Sequence, residues 1–253
     1  MNEEAGLRAD ELVRQRVVAA LDFDTIEEAV ALVDLLQDRV TRFKVGMRLF
    51  TRYGPAILDA LAEREAQVFL DLKFHDIPSV VADACAAAAA HPSVFMLTVH
   101  ASGGQAMMRH AARGAKRGRP DSPPLVVAVT ALTSLKSREL PSFGVGMGVR
   151  DWAEKLGALA LKSGVDGVVC SAHEAEGLRT EVGARPVLVT PGIRLEDVHI
   201  AGDDQARTMT PGRAMAAGSS YLVIGRPIYQ SPDPIAAVDA VSASVASWLE
   251  KIR

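Results

Sequence analysis

Gln67-Val68-Phe69-Leu70-Asp71-Leu72-Lys73 decides the fold. As an extended strand it sets Phe69, Asp71 and Lys73 on one face and Val68, Leu70 and Leu72 on the other, because strand side chains alternate. The aliphatic face can pack under helices, which leaves Asp71 and Lys73 directed inward and towards an open end. Seven further short β-rich runs flank this one: Val17 to Asp22, Arg42 to Gly46, Val94 to His100, Leu125 to Thr130, Gly167 to Ser171, Pro186 to Pro191 and Tyr221 to Gly225. Each closes on a polar residue, a glycine or a proline.

Amphipathic segments lie between the runs, over Thr25 to Leu36, Arg48 to Arg64, Val80 to Ala90, Gly104 to Arg117, Arg150 to Ser163 and Ala172 to Val182, with Pro211 to Ala217 and Pro234 to Lys251 closing the series. Strict alternation of strand and helix demands parallel strands joined by crossovers. Eight such units in 253 residues predict an α/β fold of the (β/α)8 barrel type in a single domain, with an open doubly wound sheet as the alternative. Residues 1–14 read as an N-terminal extension to a core spanning about 17–251. The Ala-rich segment from Ala82 to Ala90 reads as a helix packed closely on the barrel.

Nearly half the residues are apolar and few are aromatic, which suits helices packed against a buried sheet. A formal charge of −3 gives no overall positive field for nucleic acid or an anionic membrane, so an anionic ligand must be met by local basic groups. Cys85 and Cys170 have neither paired nor metal-type spacing and read as buried residues of a reducing compartment. The first ten residues carry three carboxylates and no apolar stretch, which argues against a secretory signal. No apolar run reaches the roughly 18 residues of a membrane span, and the cytoplasm is the expected location.

In such a barrel the functional groups sit at the carboxyl ends of the strands. Asp22, Lys44, Asp71, Lys73, His100, Thr133, Arg194 and Arg226 all fall there or just beyond. Lys44, near the end of the run next to Asp71 and Lys73, brings a second ammonium to the same concave site. Buried charges cost several kcal/mol each unless they compensate one another, so function explains this collection better than stability does. Asp76 follows beyond the strand proper, where alternation does not fix its direction.

The extended run Phe69-Leu70-Asp71-Leu72-Lys73-Phe74-His75-Asp76-Ile77-Pro78 resembles the signature of orotidine 5'-phosphate decarboxylases. So do Ala20-Leu21-Asp22, Lys44-Val45-Gly46, the segment from Val99 to Gly104, that from Gly167 to Ser171, Val189-Thr190-Pro191-Gly192-Ile193-Arg194 and Ile224-Gly225-Arg226-Pro227, in the family's order. The resemblance spans roughly Val17 to Pro234. It implies loss of carbon dioxide from orotidine 5'-monophosphate without metal or organic cofactor. It further implies a Lys-Asp-Lys-Asp array of Lys44, Asp71, Lys73 and Asp76, with Lys73 as proton donor to C6 and Asp76 supplied by the partner subunit of a homodimer with shared sites.

Phosphate sites in barrels commonly form from the loops after strands seven and eight and a short helix. Here those loops carry Arg194, Gly225 and Arg226, and a guanidinium can grip phosphate through two hydrogen bonds. By resemblance the segment from Leu195 to Arg207 is the family's phosphate-gripping loop, with Gln205 as its glutamine. Asp22 matches a ribose-hydroxyl contact, Thr133 matches the residue beside the pyrimidine with Ser134 close by, and Ile77 joins the substrate-contacting set.

Other signals carry less. His100 reads as a structural hydrogen-bonding partner, and the histidines show no ligand pairing for zinc. Gly144-Val145-Gly146-Met147-Gly148 lies too far past the fifth run for a dinucleotide fingerprint and reads as a connection. The group Lys116, Arg117 and Arg119 reads as solvated surface. Two rival functions remain: the magnesium-dependent 3-keto-gulonate-phosphate decarboxylase and hexulose-phosphate synthase group, whose members carry glutamate where this chain has Lys44, and a non-catalytic nucleotide-binding protein.

Overall fold

The computed structural model describes residues 3–195 and 208–252. All eight expected runs form strands: β1 (Val17–Ala20), β2 (Arg42–Gly46), β3 (Gln67–Phe74), β4 (Val94–His100), β5 (Leu125–Val129), β6 (Gly167–Val169), β7 (Val187–Thr190) and β8 (Tyr221–Ile224). They pair in parallel in sequence order, and β1 also pairs with β8, so the sheet closes into a (β/α)8, or TIM, barrel. Closure removes the unpaired edges that an open sheet would present.

Alternation sorts the side chains as expected. Inside the barrel Val18, Ala20, Phe69, Met96, Val127, Val189 and Val223 form a small packed cluster. Val17, Ala19, Phe43, Val45, Val68 and Leu70 face outward and join the larger core beneath the helices. Asp71 and Lys73 follow Phe69 on the inward face, above the packed cluster and at the mouth.

The helices follow the expected segments with one break. The span from Arg48 to Arg64 was expected as one helix but forms two, Met47–Tyr53 and Ala56–Ala62. Gly54 ends the first at φ +57°, a conformation that other residues adopt at a cost, and Pro55 stands at the N-cap of the second. The Ala-rich segment lies in the helix Pro78–Ala90, which packs on Gly104–Gly118. A Cβ on Gly114 would stand 2.1 Å from the Ala82 carbonyl oxygen, so this contact requires small residues on both helices.

The N-terminal residues form a helix, Glu3–Arg16, whose Ala5, Ala9 and Val13 are buried at helical spacing as it packs on the C-terminal helix Pro234–Lys251. One surface reading is corrected. Arg119 donates to the carbonyls of His91, Pro92 and Val94, and Arg117 pairs with Asp83. These carbonyls lie at the entry into β4, so the half-buried Arg119 is a structural tie rather than a solvated charge.

Candidate active site

A cavity of about 600 Å³ opens at the carboxyl ends of the strands, floored by Ala20, Phe69, Val129, Val169 and Val223. Parallel pairing sets Ala20 beside Lys44, and Gly46 beside Asp71, so the charged ends of β1, β2 and β3 arrive together. Lys44 Nζ lies 3.1 Å from Asp22 Oδ1 and 3.9 Å from Asp71 Oδ2. Lys73 Nζ donates to both carboxylate oxygens of Asp71, at 2.9 Å each. Side chains of Lys44 and Asp71 are only 12% and 13% exposed, so these charges interact with little water between them.

Burial by itself would lower the Lys44 pKa. Asp22 and Asp71, together with the hydrogen bond to Asp22, outweigh it and hold the ammonium above its ordinary value. The two lysines and two aspartates balance in formal charge, so this side of the cavity offers an anion no net positive charge. Arg194 and Gly225-Arg226 line the same cavity from the β7 and β8 side, where the Arg194 guanidinium also donates to the Ile193 carbonyl at 2.8 Å. Thr133 and Ser134 both line it after β5.

Two expected residues lie elsewhere. Asp76 and Ile77 do not line the cavity of their own chain: Asp76 is exposed and its carboxylate accepts the Ile77 N–H at 2.6 Å, while Ile77 is 63% exposed. The expected site residue Gln205 falls outside the described residues. His100 has the structural role expected of it. Its Nδ1 lies 2.7 Å from Ser102 Oγ, and its ring stacks on His75 with centroids 5.4 Å apart. The glycine segment Gly144 to Gly148 connects the 3-10 turn Ser137–Phe143 to the helix Val149–Lys162, away from β5.

Three residues that sequence reading passed over take part. Thr98, fully buried, donates to Asp71 Oδ1 at 3.0 Å and accepts from the Lys73 N–H at 2.8 Å. Its inward direction was legible, two residues beyond Met96 on the same face; its partners were not. Arg48 donates to the Asp22 carbonyl at 2.9 Å and pairs with Asp24, which fixes the turn after β1. Tyr229 lines the cavity one helical turn after Gly225, and Pro227, in the first turn of the short helix Arg226–Tyr229, was the available signal. Burial raises the Tyr229 pKa, and the nearby Asp22 adds to this against the cations Arg226, Arg48 and Lys44.

As a metal site the mouth is poorly suited. Among the described residues no group of three or more His, Cys, Asp or Glu is placed to hold an ion, and Lys44 sets a fixed positive charge between the two nearest carboxylates. The arrangement suits a different task, in which an ammonium held by a carboxylate faces a ligand atom that becomes negative.

Residues 15–241 match the model of the Orotidine 5'-phosphate decarboxylase / HUMPS family. The chain is 49% identical over 235 residues to an orotidine 5'-phosphate decarboxylase of Chromobacterium violaceum, covering 93% of each. It is 47% identical over 231 residues to that of Pseudoalteromonas atlantica, covering 91% of this chain and 98% of the relative. Among solved structures, orotidine 5'-phosphate decarboxylase from Lactobacillus acidophilus superposes with a TM-score of 0.77 at 35% identity, over 91% of this chain and 99% of that one. An uncharacterized conserved protein from Geobacillus kaustophilus superposes with a TM-score of 0.79 at 34% identity, over 90% and 99%.

Proposed function

Because the chain belongs to the Orotidine 5'-phosphate decarboxylase / HUMPS family, we propose that its charged mouth is where orotidine 5'-monophosphate loses carbon dioxide to leave uridine 5'-monophosphate. The enzyme is a carboxy-lyase of pyrimidine biosynthesis. The observation that carries the assignment to this site is the Lys73 ammonium, held on both oxygens of Asp71 and flanked by Lys44, at the base of a cavity that also holds Arg194 and Arg226.

In the reaction the bond from C6 to the carboxylate breaks, its electron pair stays on C6, and carbon dioxide departs. A proton then passes from Lys73 Nζ to C6, and water returns the amine to its charged form. Lys73 stabilises the developing carbanion: unit charges about 4 Å apart at an effective dielectric near 20 interact by roughly 4 kcal/mol, on the order of a thousandfold in rate. Asp71 aims Lys73 and keeps it protonated. Asp22 takes the ribose hydroxyls, Thr133 lies beside the pyrimidine, and Arg194, Gly225 and Arg226 with Gln205 take the phosphate. Contacts to this remote group lower the barrier at C6 only if they are made more fully in the transition state.

We further propose that the chain works as a homodimer in which Asp76 and Ile77 complete the neighbouring mouth, since both turn away from their own. No nucleic acid is a partner. No metal is needed either, because Lys44 occupies the position from which a divalent cation would draw on Asp22 and Asp71. Among the described residues no helix is long and apolar enough to cross a membrane, and we place the reaction in the cytoplasm.

The test follows loss of orotidine 5'-monophosphate absorbance without added metal. The unsubstituted protein turns over, and Lys73→Ala and Asp76→Ala are each nearly inactive. Mixing the two variants restores part of the activity, because a mixed dimer holds one intact site. Equal rates for the protein and Lys73→Ala would sink the assigned donor. No recovery after verified subunit exchange would sink the shared site.

A further inference from the structure

We propose that Thr98 is the positioning residue of the Asp71 and Lys73 pair, a role that rests on the decarboxylase reading of the mouth. Between Leu70 and Phe74 strand β3 advances four residues, while its partner β4 advances only from Leu97 to Val99. Thr98 is thus the one residue of β4 opposite Asp71, Leu72 and Lys73. A bulge of this kind re-aims side chains but strips backbone groups of their ladder partners. Lys73 takes the left-handed conformation, φ +51°, which a residue with a Cβ adopts only when its surroundings impose it.

The Thr98 hydroxyl supplies what the bulge removes. An N–H only donates, so Oγ1 accepts from Lys73 N at 2.8 Å, and its own proton is left for Asp71 Oδ1 at 3.0 Å. Asp71 accepts Lys73 Nζ on both oxygens. A closed ring results, from the Lys73 backbone through Thr98 and the Asp71 carboxylate to the Lys73 ammonium. Thr98 is fully buried and branched at Cβ, so its hydroxyl does not wander. The ring fixes at once the direction of the carboxylate and the backbone that carries the ammonium. Thr98 itself does not line the cavity, which is why it acts through these two residues and not on the substrate.

Thr98→Val keeps the shape and removes the hydroxyl. It is expected to lower kcat by about 10- to 100-fold, the range for a lost hydrogen bond to a charged group. Affinity for uridine 5'-monophosphate should stay within about threefold, because the phosphate and ribose contacts are untouched. Thr98→Ser should recover most of kcat. In the ligand-free protein, hydrogen exchange of the Lys73 amide should accelerate in Thr98→Val and stay slow in Thr98→Ser. Should the valine variant not fold, Thr98→Ala serves the same comparison. A valine variant with unchanged kcat, equal losses of kcat and product affinity, or no rescue by serine would overturn the role. Exchange reads the ring without turnover, so an unsubstituted protein that does not decarboxylate would sink the functional reading alone, while unchanged exchange in Thr98→Val would sink the positioning role.

Discussion

Arg42 and Lys44 stand two residues apart on the inward face of β2, with Phe43 and Val45 buried on the outer face, yet the two cations are met in opposite ways. At the foot of the barrel the Arg42 guanidinium lies over the rings of Phe95 and Tyr221, 5.4 and 5.8 Å from their centroids, and donates to the Gln15 carbonyl. Its Nε is buried without a hydrogen-bond partner among the described residues. At the mouth Lys44 is met by carboxylates. A planar, weakly hydrated guanidinium accepts aromatic faces as a plug. A compact ammonium between aspartates instead makes a charged surface ready for a ligand. The same face of one strand thus serves stability at one end and chemistry at the other.

Paired substitutions can break this contrast. Lys44→Met is expected to lower kcat/KM by about a thousandfold or more, since it removes a full charge from the array. Its unfolding free energy should change by less than that activity loss of roughly 4 kcal/mol, because methionine also removes the cost of burying an ammonium, Asp71 keeps Lys73 and Thr98, and Asp22 reaches solvent. Arg42→Met should do the reverse, leaving kcat/KM within about threefold and costing about 1 to 2 kcal/mol of stability as the cation–π contacts are lost. In a chain of this size that lowers Tm by a few degrees, on the order of 2–4 °C per kcal/mol. Absorbance assays and urea titrations of both variants decide the matter. If Arg42→Met loses activity as Lys44→Met does, the two ends do not divide the work.

The eight strands and the inward set of Asp71 and Lys73 were legible because both follow from local alternation and from apolar runs that stop at a polar or glycine residue. The break at Gly54-Pro55 was also written locally, but a long amphipathic period on both sides masked it. The helix at residues 3–16 escaped notice because its apolar stripe, Ala5, Ala9 and Val13, is small and set among charges. What could not be read depends on residues far apart in the chain. The Arg42 plug needs Phe95 and Tyr221, and the left-handed Lys73 needs Thr98 across a bulge. Alternation could not place Asp76 for the same reason, since the register of β3 shifts before it is reached.

The smallest expected effect sharpens the contrast by asking at which end the barrel responds to acid. His100, at the end of β4, has its pKa held below the ordinary imidazole value, first by burial and then by His75 and Lys73 beside it. A histidine depressed in the folded state contributes its full stability above the ordinary value, near 6.5, and loses it as pH falls through the folded value, because the unfolded chain then binds the proton more readily. Acidification from neutral pH should therefore weaken the fold, and the His100 ring, stacked on His75 at the end of β4, carries part of that loss. His100→Asn retains a short side-chain acceptor for the Ser102 N–H and removes the titrating ring. Urea midpoints measured from about pH 7.5 down to 5 should fall less steeply for this variant than for the unsubstituted protein. Identical slopes would place the acid response elsewhere and leave the His75 and His100 stack a matter of packing alone.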